Sequence, residues 1–161
     1  MPEVYPVGMA EIRIAKAPDA LAAYGVGSCV IVAMYDPKSS IGGLAHVILP
    51  DSTGVAPDRL NPKKFADTAI PLLFQTLSHA GVFKGNLWAK MVGGAEMFPP
   101  TEDFSLNIGK KNSEAALTAV KKLGIPVMAT ETGGTIGRSM VFRLDSGRIS
   151  LTVLGESSKE I

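Results

Sequence analysis

The chain has 161 residues, 46% of them hydrophobic, enough for one well-buried domain and too few for two ordinary ones. Sixteen basic residues against fifteen acidic give a net charge of +1, and neither sign gathers into a block, which argues against a nucleic-acid or anionic-membrane surface. The N-terminus lacks the basic segment and apolar core of a secretory signal, and no apolar run approaches the roughly 18 residues of a membrane span, so a cytoplasmic protein that is not membrane-embedded is expected.

Residues 7–15 alternate well enough for a half-buried strand, with Gly8 as a candidate bulge. A turn at 16–19 leads to the alanine-rich piece 20–24, whose composition suits strand or helix equally. Residues 29–35 are apolar and rich in β-branched side chains, Asp36-Pro37-Lys38-Ser39 reads as a turn, and 44–49 is a second strand. The three pieces predict a β-hairpin. With Pro37 and Lys38 alone in the loop, Cys29 lies directly opposite His46; with a four-residue loop the two become diagonal neighbours. Opposed side chains have Cβ atoms roughly 4.5 to 5.5 Å apart and diagonal ones about 7 to 8 Å, so either register puts a thiol and an imidazole on one face, within reach of each other after a modest bend at Gly27.

A proline-bearing loop follows at 51–61. Asn61-Pro62 then reads as the start of a helix whose apolar stripe is Phe65, Ala69, Leu72, Leu73 and Leu77 and whose stop is Gly81. Pro71 implies a kink or a fresh start capped by Asp67 or Thr68, and His79 suits the helix C-terminus as a solvated group. Residues 87–92 form a strand, with Trp88 in the core, ending at Gly93-Gly94. Asn112 or Ser113 is the expected cap of a second helix carrying Ala116, Leu117, Val120 and Leu123, and Gly124 ends it. A strand at 125–130, a glycine-rich loop at 132–139, and a hairpin of 140–144 with 149–154 complete the chain, leaving 155–161 to fray. This order is not a βαβα alternation; it predicts mixed sheets with antiparallel hairpins and two helices packed on them.

Chemistry concentrates at Cys29. A lone cysteine forms no internal disulfide, and with two histidines it makes too few soft ligands for a structural zinc site, so the thiol serves packing or reaction. Its place just after Gly27 and Ser28 allows successive backbone N–H groups to converge on one spot, as an oxyanion requires. The loop 132–139 fails as a phosphate loop: Thr132 stands where the first glycine belongs, Arg138 replaces the lysine, and strands flank it. Gly93 and Gly94 permit tight turns or close approach of a substrate, and Asp51 and Asp67 need only turn and cap roles.

Six motifs appear in order: Gly-Val-Gly-Ser-Cys-Val at 25–30, Gly-Gly-Leu-Ala-His-Val-Ile-Leu-Pro-Asp-Ser at 42–52, Phe-Ala-Asp-Thr-Ala at 65–69, Gly-Gly-Ala-Glu-Met-Phe at 93–98, Ile-Gly-Lys-Lys-Asn-Ser-Glu-Ala at 108–115, and Thr-Gly-Gly-Thr-Ile-Gly-Arg-Ser at 132–139. Their order and spacing resemble the CheD family of chemoreceptor glutamine deamidases over nearly the whole chain. The resemblance implies an α/β layered sandwich of mixed, largely antiparallel sheets with two main helices outside. It implies a cytoplasmic hydrolase that converts glutamine side chains on methyl-accepting chemotaxis receptors to glutamate without metal or organic cofactor. It implies a second partner, the CheC phosphatase, and it places the nucleophile on Cys29 and the general base on His46. The family's threonine six positions before the cysteine is Ala23 here, which leaves the orientation of His46 to a backbone carbonyl or another hydroxyl, with Ser28 nearby. A regulatory module that binds the phosphatase with little catalysis is the alternative. Loops 51–64 and 96–106 are the expected recognition surface, with Phe98, Gly93, Gly94, Gly133 and Gly134 as candidate substrate or partner contacts.

Overall fold

The computed structural model describes residues 1–97, 107–153, 156 and 158–161. Two five-stranded sheets stack face to face, and two helices cover the outer face of one of them. The strands are β1 (Val4–Pro6), β2 (Ile12–Lys16), β3 (Ala20–Val26), β4 (Val30–Asp36), β5 (Ile41–Val47), β6 (Trp88–Gly93), β7 (Val127–Thr132), β8 (Arg138–Arg143), β9 (Ile149–Val153) and β10 (Lys159–Glu160); the helices are α1 (Ala66–His79) and α2 (Ile108–Lys122). One sheet runs β1-β3-β8-β9-β10 and the other β2-β5-β4-β6-β7, with β1–β3 and β6–β7 parallel and the other pairs antiparallel. The layered sandwich of mixed, largely antiparallel sheets is therefore the observed architecture. Of the expected strand at 7–15 only the part from Ile12 is strand, as β2; residues 7–11 turn, β1 precedes them at Val4–Pro6, and the alanine-rich 20–24 is strand.

β4 is central and buried along its length, so its side chains feed two cores by the period of two. Val30, Val32 and Met34 point to the helices and pack with Ile70, Leu73 and Leu77 of α1 and Ala116 and Val120 of α2. Cys29, Ile31, Ala33 and Tyr35 point between the sheets, toward Leu21, Met140 and Phe142. At the far end of that inter-sheet layer, Tyr35 donates its hydroxyl to the Leu144 carbonyl at 2.6 Å and meets Trp88 and Phe142 at ring-centroid distances of 5.2 and 5.8 Å. These contacts pin the sheets together away from the cysteine.

Both helix starts differ from expectation for one reason: the asparagines expected to cap them bond elsewhere. Asn61 accepts from the Lys63 N–H in a turn, the Lys64 carbonyl accepts from the Ile48 and Leu49 N–H groups and the Ala66 N–H donates to the Leu49 carbonyl, so α1 begins only at Ala66 and runs through Pro71 without a restart. Asn112 lies inside α2, which begins at Ile108, and Ser113 bonds back to the Gly109 carbonyl. The C-terminal piece expected to fray includes β10, which pairs with β9. Among the described residues, no helix is long and apolar enough to cross a membrane.

Candidate active site

The hairpin register follows from its turn. Asp36 accepts from the Lys38 N–H and the Ser39 hydroxyl, both at 2.8 Å, and its carbonyl accepts from Ser40, which closes a four-residue loop. Asp36 then pairs with Ile41, and Ile31 pairs with His46. Cys29, two residues before Ile31, is thus the diagonal neighbour of His46 on the inter-sheet face, and both line one cleft of about 540 Å³ with Gly27, Ser28, Val7 and Met97. Cys29 is 9% exposed and His46 4% exposed, and both open onto this cleft.

Residues 7–11 wrap His46. Its backbone bonds to Ala10 and Glu11, and its ring Nδ1 lies 2.9 Å from the Val7 carbonyl oxygen. A carbonyl only accepts, so Nδ1 carries the proton and donates it, and Nε2 is left as the basic nitrogen. Burial pulls the imidazole pKa below its ordinary value, against the opposing pulls of the Val7 carbonyl and the Glu11 carboxylate. Burial likewise pushes the Cys29 thiol up, opposed by its own backbone N–H. Burial thus disfavours the charged form of each group, the thiolate and the imidazolium.

The Val7 carbonyl holds the His46 ring where Ala23 offers no hydroxyl. Ala23 is a fully packed core position paired with Met140. Ala23→Thr is therefore expected to leave turnover within about threefold while lowering stability by about 1 to 3 kcal/mol through overpacking. Parallel measurement of kcat and a denaturation midpoint checks this; a large gain in kcat would show that the Val7 carbonyl is an inadequate orienting group.

The glycines divide into different roles. The Gly94 N–H bonds the Cys29 carbonyl at 2.7 Å and the Ala95 N–H bonds the Gly27 carbonyl at 2.9 Å, so the turn after β6 holds the cysteine loop from behind. Gly93 has φ +114°, and a Cβ there would overlap the Cys29 carbonyl oxygen. Gly93→Ala is expected to cost about 1 to 3 kcal/mol of stability and to slow alkylation of Cys29, as read by melting and by iodoacetamide labelling; wild-type values for both would show that the turn accommodates a side chain. Gly133 and Gly134 bond to Gly93 and Glu96, and Arg138 ties the same loop by donating to the Glu131 and Gly133 carbonyls. They lie beside the turn rather than in the wall of the cysteine cleft. Phe98 lies outside the described residues.

Three features were absent from the sequence reading. The Val7 carbonyl has no side-chain signature. Met9, Tyr24 and Met97 form an apolar rim on the cleft, 66%, 60% and 50% exposed. Asn112, fully buried, donates its side-chain amide to the Ser28 carbonyl at 3.0 Å and to the Ile48 carbonyl at 2.8 Å. Asp51 keeps the turn role its position suggested, accepting from the Thr53 N–H, whereas Asp67 is not a cap: it lies inside α1, whose N-cap Phe65 makes no side-chain bond, and its carboxylate accepts from the Ser52 N–H and hydroxyl in the preceding loop.

Residues 48–153 match the family model described as "CheD chemotactic sensory transduction". The chain is 41% identical over 156 residues to a protein of Desulforamulus reducens named "Probable chemoreceptor glutamine deamidase CheD", covering 96% of this chain and 93% of the relative. It is 40% identical over 156 residues to a protein of the same name from Clostridium botulinum, covering 96% of each. Among solved structures, the Bacillus licheniformis hypothetical protein YfiH shares the fold at a TM-score of 0.50 and 17% identity, over 77% of this chain and 51% of that longer one. The family match and the two full-length relatives place this chain in the CheD family.

Proposed function

We propose that the chain hydrolyses glutamine side-chain amides on methyl-accepting chemotaxis receptors to glutamate, releasing ammonia through a thioester on Cys29. The observation that carries the reading is the pairing of a lone cleft cysteine with a histidine whose Nδ1 is committed to the Val7 carbonyl, which leaves Nε2 free to act as a base. The names of its relatives supply the substrate class.

Burial disfavours both charged forms, and that sets the order of events. His46 Nε2 accepts the thiol proton as the sulfur attacks the amide carbon, so the thiolate exists only as the new S–C bond forms. Backbone N–H groups of residues 27–29, which meet no backbone acceptor among the described residues, take the oxyanion. The imidazolium returns its proton to the departing nitrogen as the C–N bond breaks, and ammonia leaves. Water, deprotonated by the same Nε2, cleaves the thioester to a carboxylic acid and restores the thiol. The chain's own residues supply every proton transfer in this sequence.

The apolar rim of Met9, Tyr24 and Met97 suits a side chain presented by a protein surface better than a free polar metabolite. We assign the same rim to the CheC phosphatase, which would then compete with receptor. Ammonia release from a receptor cytoplasmic fragment, measured with and without the phosphatase, tests both parts. Release that the phosphatase suppresses is expected. Tight phosphatase binding with no ammonia release from any receptor fragment would instead favour a regulatory binding module.

A further inference from the structure

The cysteine loop is held from the helix side by a residue that touches neither the thiol nor the imidazole. We propose that Asn112 is a positioning residue that aims the Cys29 N–H at the oxyanion, an inference that rests on the thioester reading above. α2 packs against the face of the β4–β5 sheet opposite to the one that Cys29 and His46 share. From that side the Asn112 amide draws the Ser28 carbonyl toward the helix. In a planar trans peptide the C=O and the following N–H point in opposite directions. Fixing the Ser28 oxygen against α2 therefore turns the Cys29 N–H away from the helix and into the cleft. Consistent with this, that N–H meets no backbone acceptor among the described residues. The hydrogen bond at the oxygen also polarises the peptide and strengthens its N–H as a donor.

The second amide proton goes to Ile48, two residues beyond His46, so one side chain joins the cysteine loop to the end of the histidine strand. The cost is visible on the same residue: Asn112 Oδ1 is buried without a partner among the described residues. A position selected only for packing on α2 would favour an apolar side chain, as at Ala116 and Val120 one and two turns later.

The test separates amide chemistry from thiol chemistry. In Asn112→Asp and Asn112→Ala, kcat for a receptor cytoplasmic fragment is expected to fall about 100-fold, the loss typical of an oxyanion donor, with KM little changed. Alkylation of Cys29 by iodoacetamide, which needs no oxyanion donor, is expected to stay within about threefold of wild type. Unchanged kcat in a folded variant, or a parallel fall of kcat and alkylation, would overturn the assignment. Wild-type protein provides an arm independent of variant folding. When a glutamine-derived peptide aldehyde adds to Cys29, the Cys29 amide proton should move downfield in NMR spectra while the Asn112 side-chain amide protons stay protected from exchange. An unmoved Cys29 amide, or Asn112 protons that exchange freely, would overturn it equally. A Cys29→Ala control tells the two levels apart: full turnover there would refute the nucleophile itself, whereas loss there with normal Asn112 variants refutes only the positioning role.

Discussion

Cys29→Ala is expected to bring ammonia release down to background, a loss of about 10⁴-fold or more, because no other group can form the covalent intermediate. The chain has no second cysteine to substitute for it. The fold should survive: Cys29 sits at the rim of the inter-sheet layer, held through backbone bonds by Gly94 and through its neighbour's carbonyl by Asn112, and neither contact involves the sulfur. Removing one sulfur from a position that is 9% exposed leaves a small, solvent-reachable gap rather than a closed cavity. The expected result is therefore loss of turnover with a denaturation midpoint close to wild type. Retained turnover with normal folding would show that Cys29 only packs.

His46→Gln is the second large effect, with an expected fall in kcat of about 10²- to 10⁴-fold, the range for removing a general base from a reaction whose nucleophile starts protonated. Because burial raises the thiol pKa, the variant has no reservoir of thiolate to fall back on near neutral pH. The sign of the pH dependence follows from the same burial. Activity needs neutral His46, and its pKa in the folded protein lies below the ordinary 6.5, so kcat/KM should stay full through 6.5 and decline only as pH falls through the lowered value. An acid limb at or above 6.5 would contradict a buried base. Stability is linked to the same group. Below pH 6.5 the unfolded chain binds a proton at this position before the folded one does, so stability should fall between 6.5 and the lowered folded value, and be complete above 6.5. His46→Gln should flatten that part of the stability profile, which denaturant titrations across the range would show.

What could be read in the sequence was local. The period of two in residues 29–35 and 44–49, with Asp36 and Pro37 between them, places Cys29 and His46 on one face for a loop of two or of four residues, and the Asp36 side chain then selects the four-residue loop and the diagonal pairing. The two helices were legible in their apolar stripes but not in their starts. Asn61 and Asn112 have the composition of caps, and only tertiary structure shows their side chains bonding to Lys63 and to the carbonyls of Ser28 and Ile48. The Val7 carbonyl was invisible for a simpler reason: every residue has a backbone oxygen, and nothing in a sequence marks the one that will meet an imidazole. Gly93 and Gly94 were noticed as turn formers. Their positive φ values fit that reading, and their closeness to Cys29 appears only when β6 is laid beside β4.

The most direct measurement is site-resolved mass spectrometry of a receptor cytoplasmic fragment incubated with wild type, Cys29→Ala and His46→Gln proteins. The expected result is conversion of particular glutamines to glutamate by wild type, abolished by Cys29→Ala and strongly slowed by His46→Gln. Glutamines left intact by wild type across receptor fragments, or converted equally well without Cys29, would contradict the account.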